Sequence, residues 1–115
     1  MSSIIHVDNS EFFRKQMKTF LSEIGLDPQS FACGEDAINA VKTGKATTII
    51  TGLELSDMTG EEFIKRLAVI PGSVPVIVVT SNNKEVREKR LVALGAMAII
   101  GKSGDWKGEL GKILK

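Results

Sequence analysis

The chain of 115 residues contains no tyrosine, one cysteine, one tryptophan and three prolines. A single thiol, Cys33, excludes an internal disulfide framework and a cysteine-rich zinc site, since both need several. No stretch approaches the roughly 20 apolar residues that span a bilayer, so no membrane helix is expected. The opening residues Met1-Ser2-Ser3-Ile4-Ile5-His6-Val7-Asp8 lack a basic leader followed by an apolar run, and no signal peptide is expected. An excess of one charge sign is missing too. With 15 Lys+Arg against 14 Asp+Glu, the formal net charge is +1. That balance argues against a nucleic-acid or membrane-surface binder, which usually carries a clear basic excess. A reduced cytoplasmic setting is the expectation.

What is present is an ordinary globular balance, 43% hydrophobic and 25% charged, in a length that suits one domain over residues 1–115. Two kinds of apolar segment alternate. Short β-branched runs read as buried strands at Ile4–Val7, Thr47–Ile50, Val74–Val79 and Met97–Ile100, with a weaker one at Asp27–Ala32. Between them Phe13, Met17, Phe20, Leu21 and Ile24 form one helical stripe that Ser10 is placed to cap. Further helices are expected from about Gly34 to Lys42, after Gly60 through Phe63, Ile64 and Leu67, around Val86, Leu91 and Leu94, and from Trp106 through Leu110, Ile113 and Leu114. Gly25, Gly72 and Gly95 follow helical stretches, where a left-handed residue is wanted. The methionines fall mainly at core spacing. Strand and helix repeated five times predict an α/β fold: a flavodoxin-like (βα)5 doubly wound, five-stranded parallel sheet in the order 2-1-3-4-5.

In such a sheet the functional crevice lies at the carboxyl ends of the strands, here Asp8-Asn9, Thr51-Gly52, Thr80-Ser81 and Gly101-Lys102. Asp8 suits a hard cation such as magnesium. It equally suits the free amides of the helix start beside Ser10. A hydroxyl from Thr80 and an ammonium from Lys102, converging at one edge, suit an oxyanion such as a phosphoryl group.

Four segments resemble the receiver domain of bacterial two-component response regulators, and the resemblance covers the whole chain. Ile4-Ile5-His6-Val7-Asp8-Asn9-Ser10 is similar to that family's first strand and acidic pair. Leu55-Ser56-Asp57-Met58-Thr59-Gly60 matches the turn into its third helix. Val74-Pro75-Val76-Ile77-Val78-Val79-Thr80-Ser81 looks like its fourth strand with the switch threonine. Leu94-Gly95-Ala96-Met97-Ala98-Ile99-Ile100-Gly101-Lys102 looks like its last strand and lysine.

The departures matter more. Counted back from the Met58-Thr59-Gly60 turn, the family's phosphoacceptor aspartate falls on Gly52, which has no nucleophile to offer. Thr51 is expected on the other face of its strand. Glu54 is displaced by a loop step but is able to face the crevice, and Asp57 is expected to cap the next helix. The acidic pair is reduced to Asp8 with uncharged Asn9, so magnesium at Asp8 is expected to be weak or absent, or dependent on Glu54. Lys102 is then free to pair directly with Asp8. Ile99 replaces the switch aromatic, in a chain without tyrosine, and Ser103 follows the lysine across a bond expected to be trans.

Competing signals are weaker. Gly101-Lys102-Ser103 lacks the phosphate-loop glycine, with Ala96 in its place, and Asp8-Asn9-Ser10 stands where a dinucleotide fingerprint would need glycines. His6 reads as a satisfied core histidine and Cys33 as an incidental thiol. Lys84–Arg90, with acids interleaved, reads as a solvated helix face, and Trp106 as an anchor for the last helix. The resemblance and its departures together imply a non-enzymatic signal-transduction module that binds a protein without phosphorylation. It would use the face of helix four, strand five and helix five, roughly Lys84–Leu114, with no required cofactor. A histidine kinase, an output domain or a second copy are the partner classes implied. The alternative is a phosphotransfer-competent receiver, in which Gly52 is an engineered replacement or Glu54 is a surrogate carboxylate.

Overall fold

The computed structural model describes residues 3–43, 46–72, 74–81 and 84–114, without the side chains of 84–87. Five strands alternate with five helices: β1 Ile4–Val7, α1 Glu11–Glu23, β2 Pro28–Phe31, α2 Gly34–Lys42, β3 Thr48–Thr51, α3 Gly60–Ala68, β4 Val76–Thr80, α4 Lys84–Ala93, β5 Ala98–Gly101 and α5 Trp106–Leu114. All strand pairs are parallel, in the order β2-β1-β3-β4-β5. The expected topology is the observed one.

Alternation along each strand divides the core in two. Ile5, Val7, Ile49, Val76, Val78 and Ile99 face α2, α3 and α4 through Ile38, Phe63, Ile64 and Leu91. Ile4, Ile50, Ile77, Val79 and Ile100 face α1 and α5 through Phe13, Met17, Phe20, Leu21, Trp106 and Leu110. Each such fully buried large side chain contributes about 1.5–3 kcal/mol of transfer free energy. Of the five strands β2 carries the exposed residues, Gln29 and Ser30, as fits an edge strand with polar residues.

Helix starts follow local chemistry. Ser10 caps α1, its Oγ accepting from the Phe13 amide at 3.1 Å, and Thr59 caps α3, accepting from Glu62 at 3.1 Å. Gly25, Gly72 and Gly95 adopt φ of 84°, 76° and 117°, as their positions after helices require. Three strands begin one or two residues later than apolar composition indicates, because the parallel register decides the ends: Ile49 pairs with Val76, and Ile77 with Ala98. Met97 precedes β5, its amide donating to the Val76 carbonyl at 2.8 Å, and its side chain is half exposed, unlike that of the core methionine Met17. Val86 and the first part of the Lys84–Arg90 face fall among side chains outside the described ones. Glu88, Lys89 and Arg90 are exposed, and Arg90 pairs with Glu61 at 2.8 Å. Lys115 also lies outside the described residues. Among the described residues, no helix is long and apolar enough to cross a membrane.

Candidate functional site

At the carboxyl edge of the sheet, Asp8, Asn9, Ser10, Glu54, Thr80, Ser81 and Lys102 line an open cleft of about 210 Å³. The strand ends expected to converge do so. Asp8 stands on the side of β1 that carries Ile4 and His6 and is 4% exposed. Its two carboxylate oxygens have different partners. Oδ1 accepts the Ser10 amide at 2.9 Å, and Oδ2 accepts the Lys102 ammonium at 2.9 Å. Of the three sequence readings of Asp8, the contacts are those of a helix-start acceptor and a partner of Lys102. The Asp8 carbonyl also accepts from Arg14 Nη1 at 2.7 Å. Burying a carboxylate is costly, and here an amide and an ammonium offset the lost water.

Lys102 follows β5, its amide donating to the Thr80 carbonyl at 2.8 Å. Its ammonium lies 4.0 Å from the centre of the Phe13 ring, a cation–π contact made alongside the ion pair. Phe13 is held from behind by Trp106 at 4.9 Å and from the side by His6 at 5.9 Å between ring centres. Trp106 therefore anchors α5, as expected.

Gly52 extends β3, donating its amide to the Val7 carbonyl at 2.8 Å. A Cβ placed on it would meet Asp8 first, with Oδ2 at 2.9 Å and Cγ at 3.2 Å. The side chain missing at Gly52 would thus point into the cleft, and the Asp8 carboxylate lies against that space. Thr51 is turned away as expected and buried, its hydroxyl donating to the Gly52 carbonyl at 2.9 Å. Gly60 packs so closely that a Cβ there would lie 2.5 Å from the Gly52 carbonyl oxygen, so the turn into α3 requires glycine. Glu54 is exposed on the rim of the cleft. Ile99 is 5% exposed and belongs to the core beneath α4, with Leu91 and Val78, rather than to the cleft.

Magnesium requires several oxygen ligands in near-octahedral order and usually rests on one or two carboxylates. Here one carboxylate is already shared between an amide and an ammonium, residue 52 offers no side chain, and Asn9 is uncharged. Among the described residues, no group of three or more His, Cys, Asp or Glu side chains is placed to hold a metal ion. The arrangement does not fit the cation.

Two expectations need correction. Asp57 does not cap α3. It reaches back to α2, where Oδ1 accepts the Gly34 amide at 2.7 Å and Oδ2 the Glu35 amide at 3.0 Å. The Ser56 amide donates to the Ala32 carbonyl at 3.2 Å, which lays this loop on the start of α2. Cys33, at the N-cap position of α2, makes no side-chain cap bond, so Asp57 supplies that function. Desolvation works against the Asp57 charge, but the amides of Gly34, Glu35 and Asp57 itself, and then Arg66, outweigh it and hold the carboxyl below its usual range. His6 is buried but not satisfied: neither imidazole nitrogen has a partner among the described residues. Burial, above all, pushes its pKa down to about 4, with Asp8 opposing and Lys102 and Arg14 assisting. Phe13 and Arg14 are contributors that sequence reading missed. Phe13 carried only a core-stripe signal, and Arg14 none.

Residues 4–113 match the family model described as response regulator receiver domain. A protein-glutamate methylesterase/protein-glutamine glutaminase of Halalkalibacterium halodurans is 36% identical over 96% of this chain, which spans about a third (33%) of that relative's length. The chemotaxis response regulator CheY4 of Vibrio cholerae superposes with a TM-score of 0.86 at 22% identity, covering 99% of this chain and 97% of that one. A CheY-like receiver domain protein of Methanospirillum hungatei superposes with 0.87 at 20% identity, covering 99% and 91%. At these identities the structural likeness is one of fold. The family match, spanning nearly every residue around the cleft just described, makes this chain a member of the response regulator receiver domain family.

Proposed function

We propose that this chain is a receiver that signals by binding a protein partner, without phosphorylation on aspartate. The observation that carries the reading is Gly52. It lies at the end of β3, its missing side chain directed at Asp8, 2.9 Å from where a Cβ would stand. The family's acceptor carboxylate is expected at this position, and glycine has no atom to attack a phosphoryl group. Lys102, which would otherwise meet an incoming phosphoryl oxygen, is engaged with Asp8 at 2.9 Å. Ile99, packed in the core, leaves no aromatic to rotate in response.

The partner-binding surface in this reading is α4, β5 and α5, where Glu88, Lys89 and Arg90 are exposed and Val92 presents an apolar side chain that is 52% exposed. Among the described side chains a partner meets charge and an apolar contact there, a composition suited to a protein rather than to nucleic acid. The methylesterase relative is three times as long, and in this reading an appended output domain is one form such a partner takes. A kinase or a second copy of the chain are the others.

A second reading has one observation in its favour. Glu54 lines the same cleft as Asp8, Thr80 and Lys102. If it serves as the acceptor, the chain takes part in phosphotransfer. Incubation with acetyl phosphate and magnesium, followed by intact-mass measurement, tests both. The unphosphorylated mass supports the first reading. A phosphoryl adduct that disappears in Glu54→Gln would establish the second and overturn the first.

A further inference from the structure

We propose that the Lys102 ammonium is the resident cation of this pocket, seated between the Asp8 carboxylate and the Phe13 ring, and that it keeps divalent cations out. The inference deepens the preceding reading and rests on it for the assignment of this cleft as the former phosphorylation pocket.

Three features converge on one point. Asp8 lies against the space that a side chain at Gly52 would need, with Oδ2 2.9 Å from the Cβ position. From there Oδ2 reaches Lys102 Nζ at 2.9 Å, while side-chain exposures of 6% for Asp8 and 21% for Lys102 shield the pair from water and salt. The Phe13 ring faces the ammonium at 4.0 Å, fixed by Trp106 and by the Ser10 cap of α1. The ammonium is therefore in contact with an anion and a π face at once. A magnesium ion approaching Asp8 would have to displace it, shed tightly held water, and find a second carboxylate, for which, among the described residues, only exposed Glu54 lines the cleft. Arg14, donating to the Asp8 carbonyl at 2.7 Å, adds a further positive charge beside the path. The glycine and the ion pair form a matched set: without a carboxylate at residue 52, one lysine neutralises one aspartate. Phe13 is a positioning residue in this arrangement. The pocket is then held in one state at any physiological magnesium concentration.

The test is a magnesium chloride titration of the whole 115-residue chain at constant ionic strength, reading the Ser10 amide and the Lys102 Nζ ammonium resonance by NMR. The wild-type chain is expected to show a protected ammonium signal and no saturable shift up to about 20 mM magnesium. Lys102→Met, which keeps an apolar stem over Phe13, should gain a saturable shift at Ser10, with affinity raised by about tenfold or more. Adding Asp8→Asn should abolish that gain. Phe13→Leu should broaden the ammonium signal, an effect that loss of packing elsewhere would not produce. A saturable wild-type response at low-millimolar magnesium with release of the ammonium overturns the proposal. So does a folded Lys102→Met chain that gains nothing. Should that variant fail to fold, the wild-type ammonium signal still decides. No phosphodonor enters these readouts, so the magnesium response and acetyl phosphate labelling are read as separate outcomes.

Discussion

The Asp8 carboxylate stands against the space that a side chain at Gly52 would occupy, Oδ2 lying 2.9 Å from the Cβ position. Real Cβ atoms do not approach that closely, so any larger residue at 52 has to move Asp8 and strain its bond to Lys102. Gly52→Ala should therefore cost about 1–2 kcal/mol in urea unfolding. Gly52→Asp should cost more in magnesium-free buffer, where two carboxylates repel, and recover part of that loss when magnesium is added. Wild-type stability in the alanine variant would show that Asp8 is not confined as described.

His6 makes stability depend on acid. Its folded-state pKa of about 4 lies below the ordinary 6.5, so between these values the unfolded chain binds more protons than the folded one. Stability rises with pH across that window. This contribution is fully present above about pH 6.5 and is lost as pH falls towards 4, about 3 kcal/mol in all. His6→Leu removes two buried nitrogens that have no partner among the described residues. It should flatten this slope and stabilise the chain by about 1 kcal/mol at neutral pH. Urea melts at pH 7 and pH 5 measure both effects, and an unchanged slope in the variant would assign the acid sensitivity elsewhere.

Asp57 ties the β3–α3 loop to the start of α2. Asp57→Ala leaves the Gly34 and Glu35 amides without that acceptor and should destabilise by about 1 kcal/mol or less, given its exposure. Hydrogen exchange localises the effect: protection should fall in the first turn of α2 and not in α3. Fraying of α3 instead would favour the cap position that spacing alone indicates.

That misplacement marks where sequence reading stops. Alternating β-branched runs and helical stripes record burial, and burial determines the strand order, the two core faces and the four strand ends that meet around Asp8. Ser10 and Thr59 cap the helices that follow them because their bonds span only three residues. Asp57 and Gly34 are 23 residues apart, and only the folded loop brings them together. The same holds for Phe13, whose spacing records a core residue and whose ring also carries Lys102 from the far end of the chain. His6 shows the opposite limit. A histidine in a buried strand is legible, but whether its nitrogens find partners depends on packing from α1 and β5.

Amide spectra of the full chain, recorded with and without magnesium and beryllofluoride, an acyl-phosphate mimic, test the phosphorylation-independent reading most directly. The prediction is that Thr80, Ser81 and Lys102 keep their resonances unchanged, because Gly52 offers no carboxylate to hold the mimic and Lys102 stays with Asp8. Large, saturable shifts at those three residues would contradict it.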